Sequence, residues 1–172
     1  ILVRLMPNPS EGNPPAFMKG EGASLTPVLI KPDPNLHVLA HVFKIINDPF
    51  RGKLGIFRIH QGRITPNSAL LIGDARKPIK VTHLYRLQGN EQIEVQEGVP
   101  GDILAIARVD DVHFDAVLHD SHDEDHHHLR SMECPLPLYG LAITPKKRGD
   151  EQKLTDALHK LEAEDPCFHV EH

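Results

Sequence analysis

From Leu36 onward, apolar and polar positions alternate with a period of two, the signature of strands that bury one face. The runs predict strands at 38–46, 55–61, Ala69–Ile72, 79–87, 93–97 and 102–109. Turn pairs punctuate them: Pro66-Asn67, Gly73-Asp74, Gly89-Asn90 and Pro100-Gly101. Short strands at this spacing predict a mainly β fold. A small closed barrel is expected, because closure leaves few bare edges. The alternation lapses over 110–130, which reads as a loop or linker, and resumes at 138–144 as one more strand ended by Pro145. Over 150–164 the period turns helical: Leu154, Ala157, Leu158 and Leu161 fall at i, i+3, i+4 and i+7, and Pro166 stops the run.

The chain ahead of Leu36 follows neither period. Residues 1–6 are apolar and stop at Pro7, as the last turn of a helix would. Seven of the fifteen prolines lie in the first 34 residues, and 13–24 is rich in Gly, Pro and small side chains; such a segment orders only against something else. The expected organisation is therefore a helix end and Pro/Gly-rich linker (1–34), a β-barrel (35–119), an acidic His-rich linker (120–130) and a β-α unit (131–172). That last unit is too small to bury both its faces and reads as a truncated domain.

At 172 residues, 40% hydrophobic and 25% charged, the composition is that of an ordinary globular protein. No apolar run approaches the roughly 18 residues of a membrane span, and no signal peptide opens the chain, so a soluble cytoplasmic protein with no membrane partner is expected. Two cysteines, Cys134 and Cys167, stand far apart with no C-x-x-C pair. They read as ordinary thiols rather than a disulfide scaffold or a zinc site.

The net charge of −5 conceals a segregation. Between Arg51 and Arg86 there are eight cations against one acid, Asp74, whereas Asp110 to His128 holds seven acids and no Lys or Arg. The basic stretch makes Arg51, Lys53, Arg58, Arg63, Arg76, Lys77 and Lys80 candidates for contact with RNA phosphates or a neighbouring domain, provided that they converge on one face. No aromatic ladder accompanies them to stack unpaired bases. Asp48-Pro49-Phe50-Arg51-Gly52-Lys53 is the tightest connection in this region. Asp48 and Pro49 favour a turn, Gly52 supplies a conformation that other residues resist, Phe50 is expected to fold back as a lid, and Arg51 and Lys53 to project outward.

Six histidines interleave with the acids: His113, His119, His122, His126, His127 and His128. Imidazole and carboxylate suit zinc or nickel, and His122 and His126 are spaced i, i+4, yet H-E-x-x-H is absent. A solvated acidic linker is expected here, with no native metal site and with a charge that responds to pH near 6 to 7. The sequence holds no G-x-S-x-G, no kinase motifs and no G-x-x-x-x-G-K-[ST] loop, so no hydrolysis is expected of residues 1–172.

Three stretches carry a family resemblance. "FKIINDPFRGKLGIFRIHQGRI" resembles the start of the second domain of the elongation factor G family, with its Phe-Lys-Ile strand and Asp-Pro-Phe-x-Gly-x-Leu turn. "VQEGVPGDILAI" is similar to a later strand of that barrel, and residues 131–168 resemble the opening strand and first helix of the third domain, including the Glu-Asp-Pro that closes the helix. "LVRLMPNPSEGNPP" is similar to the end of the GTP-binding domain, and "HLYRLQGNEQIEV" leans toward the elongation factor G-like branch. One departure is His113-Phe114-Asp115-Ala116-Val117-Leu118, where the family has Thr-Gly-Asp-Thr-Leu; the His-rich segment is another.

The resemblance implies a Greek-key β-barrel of the translation-factor domain II type, followed by a truncated ferredoxin-like β-α unit. It implies a non-catalytic barrel module within a GTPase that acts in protein synthesis. That module would contact small-subunit ribosomal RNA and the protein's own GTP-binding domain, with GTP and Mg belonging to a part upstream of Ile1. A ribosome-protection or release factor remains an alternative, as does a metal-binding or protein-interaction barrel.

Overall fold

The alternation over 39–61 becomes the central hairpin of the molecule. In the computed structural model, which describes residues 2–8, 16–20, 24–130 and 134–171, the chain divides into two units, Ile1–Ser131 and Met132–His172. A helical turn, α1 (Leu2–Leu5), opens the first unit. Its barrel sheet is built from β3 (Leu39–Asp48), β4 (Gly52–Gln61), β5 (Ala69–Ile72), β6 (Ile79–Lys80), β7 (Leu84–Gln88), β8 (Glu91–Glu94), β9 (Ile103–Ala107) and β10 (Val117–His119). These pair in the order β6-β5-β10-β3-β4-β9-β7-β8. A bulge between Val42 and Lys44 lets Phe43 out of register and bends β3.

The sheet curls in the barrel manner, but its ladder has two ends, β6 and β8. An isolated Ile64–Gly98 bridge adds a further antiparallel pairing outside these strands, with amide-to-carbonyl distances of 3.0 and 2.8 Å. Inside the curl lie Phe57, Ile59, Leu70, Leu104, Ile106 and Leu118, all fully buried. Each such side chain contributes roughly 1.5–3 kcal/mol through the apolar area it withdraws from water.

Two satellite clusters cover other parts of the sheet. Leu54, Ile56, Tyr85, Ala105 and Ala107 form one. Phe17, Ile30, Leu39 and Val117 form the other, beneath a three-stranded sheet of β1 (Phe17–Lys19), β2 (Thr26–Val28) and β11 (His127–Leu129) in the order β11-β1-β2.

That small sheet corrects the expected linkers. Phe17 has no exposed surface, and Met18 pairs with His128 on one side and Pro27 on the other. Phe17–Lys19 and Thr26–Val28 order with part of the acidic segment, so 120–130 is a 3-10 turn (His122–Glu124) followed by a paired strand. Strands this short show no period for a sequence reading to detect.

The predicted strand 79–87 divides into β6 and β7 because its two halves have different partners, β5 for the first and β8 and β9 for the second. Buried Val81 marks the corner, exchanging hydrogen bonds with Asn67 and Ser68. β8 starts at Glu91, ahead of the predicted 93, because Gln88 pairs with Glu91 across the two-residue Gly89-Asn90 loop.

In the second unit the helix is as expected, α2 (Glu151–Glu164), with Leu154 and Leu158 half-buried. The predicted strand 138–144 is not one. Residues 134–144 form no regular element, with Leu138 wholly exposed, because no second strand lies in this unit among the described residues to accept backbone bonds.

Candidate nucleic-acid interface

The β3–β4 turn is organised by Asp48. Its Oδ1 accepts the amides of Phe50 and Arg51, both at 2.8 Å, and its Oδ2 accepts Gln92 Nε2 at 3.1 Å. The amides of Arg51 and Phe50 hold the Asp48 carboxyl below its ordinary 3.8, since they stabilise the charged form. Gly52 closes the turn at φ +75°.

Two expectations for this turn are corrected. Phe50 is 90% exposed and covers nothing. The room beneath the turn belongs to Arg51, whose guanidinium carbon sits 4.2 Å from the centroid of the Tyr85 ring. Arg51 therefore turns inward as a cation–π and packing residue. Lys53 remains at the surface, tethered through Nζ to the Asp110 carbonyl at 2.8 Å.

The remaining candidates separate along the sheet. Arg58 is exposed at the middle of β4, opposite His41 on β3 and Ile103 on β9. Two residues on, His60 packs edge-on against Phe17 at 5.0 Å. Burial first, and then the nearby Arg58 and His41, lower the His60 pKa to about 4. Arg63 is paired to Glu97 at 3.1 Å. Arg76 and Lys77, in the β5–β6 connection, and Lys80 on β6 are exposed together at one end of the sheet. Of the seven, these three are gathered; Arg51, Lys53, Arg58 and Arg63 are not.

Arg108 was missed by the sequence reading. It is exposed, has φ +59°, and donates its amide to the Lys53 carbonyl at 3.1 Å, which places it beside the turn. It lies beyond the basic stretch and just before Asp110-Asp111, so a running charge count hides it.

The acidic segment docks on the basic edge. Asp74, the one acid between Arg51 and Arg86, accepts the His126 amide at 3.0 Å and lies 3.2 Å from its ring Nδ1. His119 is buried, with Nδ1 2.8 Å from the Ser121 carbonyl and Nε2 2.6 Å from that of Gly73. His127 is 2.8 Å from the Glu124 carbonyl, and His122 is 3.1 Å from Asp125. These imidazoles are spent on internal contacts, and no group of three or more metal-ligating side chains occurs among the described residues.

Two family profiles match this architecture, "Elongation factor G domain 2" over residues 37–117 and "Elongation Factor G, domain III" over 134–172. The chain belongs to the elongation factor G family. It is 32% identical over 155 residues to "Elongation factor G" of Ruegeria pomeroyi, covering 90% of this chain and 22% of that protein. Its likeness to "Elongation factor G" of Rhodopirellula baltica is 33% over 141 residues, covering 82% and 20%. A crystal structure of a Thermus thermophilus protein superposes with a TM-score of 0.67 at 31% identity, covering 80% of this chain and 20% of that one. The chain thus spans about a fifth of the length of these elongation factor G relatives. The domain 2 profile takes in the strands from β3 to the start of β10, whereas β1, β2 and β11 lie outside both profiles.

Proposed function

We propose that this chain is the barrel module, with the start of the third domain, of a GTPase that acts in translation elongation in the cytoplasm. The module contacts small-subunit ribosomal RNA and its own GTP-binding domain during translocation, and it is not itself catalytic. In that longer protein residues 1–34 are the exit from the GTP-binding domain, 35–119 the barrel and 131–172 the opening of the third domain. GTP and Mg are held upstream. The observation that carries the reading is the match of two consecutive elongation factor G domains, in order, to the two structural units. The relatives' shared name favours elongation over release or ribosome protection.

The RNA contact is assigned to Arg76, Lys77 and Lys80, the exposed trio on the sheet edge. Each phosphate neutralised by a cation releases counterions and adds roughly 0.7–0.9 to the slope of log affinity against log salt. Changing all three to Gln in the protein carrying its remaining domains lowers small-subunit affinity and flattens that slope by about 2. An unchanged slope removes the trio from the interface. A second reading concerns the GTP-binding domain, for which the face around Arg58 is favoured because Ile103, its register partner, is 49% exposed. Ile103→Ser tests it through the affinity of the separated domains for one another, which drops if this face is the contact.

A further inference from the structure

β10 ends on a histidine whose two ring nitrogens both meet carbonyl oxygens. His119 pairs in register with Leu39 on β3 and Leu71 on β5, and its side chain is 1% exposed. Its Nδ1 lies 2.8 Å from the Ser121 carbonyl oxygen and its Nε2 2.6 Å from that of Gly73. A carbonyl only accepts, so both hydrogen bonds form only when both nitrogens carry hydrogen. A ring with one hydrogen turns a lone pair on the other carbonyl, and two acceptors then face each other out of reach of water. Asp125 marks the same spot: its Oδ1 is buried without a hydrogen-bond partner, 3.6 Å from His119 Nε2. A positive ring compensates such a carboxylate oxygen, and a neutral one does not. From this juxtaposition we propose that His119 is a proton-operated clasp: its doubly protonated ring fastens the 121–129 segment to the barrel, and loss of one proton releases that segment together with its partner strand β1.

What the clasp holds follows from the pairing around it. Gly73 follows β5 in the barrel sheet, whereas Ser121 begins the 3-10 turn, its carbonyl accepting the Glu124 amide at 3.0 Å and its Oγ the Asp123 amide at 3.2 Å. His119 therefore joins barrel to turn. The turn leads into β11, β11 pairs with β1, and the Gly20 amide just past β1 donates to the His126 carbonyl at 3.2 Å. Lys19 of β1 reaches back to the Asp123 carbonyl. Chain that precedes the barrel and chain that follows it are thus held together. Other ionisable groups here come as histidine and carboxylate pairs. His126 lies 3.2 Å from Asp74 beside Gly73, His122 3.1 Å from Asp125 Oδ2 and His127 3.3 Å from Glu124. On the β3 side, His37 lies 3.1 Å from Asp120 and His41 2.8 Å from Asp115. His60, packed on Phe17 of β1, has its pKa lowered to about 4 and is neutral near neutrality. Closing keeps a proton on the His119 ring, so the clasp is complete below about pH 6.5, the ordinary histidine value, and loosens as the pH rises past the point where the closed ring gives that proton up. One proton changes the closed-to-open ratio by at most about tenfold per pH unit. The inference rests on the geometry at His119 and not on the ribosomal reading.

The test uses the whole 172-residue chain, labelled with heavy nitrogen, from about pH 5.5 to about pH 8.5. Long-range proton–nitrogen spectra show whether each ring nitrogen of His119 bears hydrogen, and amide hydrogen exchange follows Gly20 as the reporter of the closed clasp. At the acid end both nitrogens should bear hydrogen, and at the alkaline end one should be bare. Over the same transition the protection of Gly20, corrected for base-catalysed exchange, should fall by up to about tenfold per pH unit. Asp125→Asn, which keeps an oxygen for His122, should move both transitions together to lower pH. His126→Gln should leave the His119 transition in place, and His119→Gln, with a single nitrogen, should make Gly20 protection low and flat with pH. The unsubstituted chain carries the test even where His119→Gln does not fold. A His119 ring whose state does not change across the range, Gly20 protection that stays constant while the ring titrates, or a pH response that His126→Gln abolishes would overturn the proposal.

Discussion

Gly62 sits where the incoming segment crosses the barrel end, and replacing it with Ala tests how rigid that crossing is. Its φ is +78°, and a Cβ would lie 2.5 Å from Val38 Cα, 2.7 Å from Val38 N and 2.8 Å from the His37 carbonyl carbon. All three are backbone atoms, so no rotamer change relieves the contact. They are held in place: the Gly62 amide donates to the Asp33 carbonyl at 3.0 Å, and Gln61 Nε2 donates to the His37 carbonyl at 3.0 Å. The left-handed conformation costs an alanine about 1 kcal/mol, and forcing a methyl into a filled site about 1–3 kcal/mol more. Gly62→Ala should thus destabilise the first unit by about 2–4 kcal/mol. Gly52→Ala is the internal control, because at φ +75° nothing lies within 4 Å of the added Cβ and only the conformational cost of about 1 kcal/mol remains. The chain has no Trp, so urea unfolding is followed by far-UV ellipticity, with unchanged slopes required before midpoints are compared. Equal losses in the two variants would refute the steric argument and show that the 31–38 segment yields.

Three further outcomes follow from the same packing. His60, with a pKa lowered to about 4 from 6.5, favours folding when neutral. That contribution is complete above pH 6.5 and is lost as the pH falls toward 4; it amounts to at most about 3 kcal/mol, and urea midpoints of His60→Gln against pH should show the slope in this window flattened. Arg51→Ala removes the contact with Tyr85 and should cost about 1–2 kcal/mol by the same measurement, whereas Phe50→Ser should stay within about 0.5 kcal/mol. Phe57→Ala empties the centre of the barrel and should cost about 3–5 kcal/mol, seen as a lower thermal midpoint.

The barrel strands were legible because a half-buried sheet enforces a period of two, and α2 because Leu154, Leu158 and Leu161 repeat at helical spacing. What escaped reading had no period to show. β1, β2 and β11 are three residues each, and they cohere because Phe17 fills a hole lined by Leu39 and Val117 from elsewhere in the chain. Residues 138–144 carry a convincing strand pattern, but a ladder needs a partner, and the described residues of that unit offer none. At the turn, Asp48, Pro49 and Gly52 announced its shape. The inward course of Arg51 depended on Tyr85, 34 positions away in sequence, and could not be anticipated locally.

Charge shows most clearly why order along the chain is not arrangement in space. The basic stretch from Arg51 to Arg86 looks like one patch in sequence, yet β4 and β6 are separated in the sheet by β3, β10 and β5. Four strand steps of about 4.8 Å make a path of about 19 Å along the sheet. Lys53 and Arg108 at the turn and Arg76, Lys77 and Lys80 at the edge therefore lie on strands or loops that are not neighbours in the sheet. The acidic segment also meets this edge. It reaches β5 and β6 through His126 on Asp74 and His119 on the Gly73 carbonyl, engaging the one acid there and leaving the three cations facing solvent. A segment that looks in sequence like a counter-charge to the basic stretch thus meets the edge through histidines, at Asp74 and Gly73, while Arg76, Lys77 and Lys80 stay exposed.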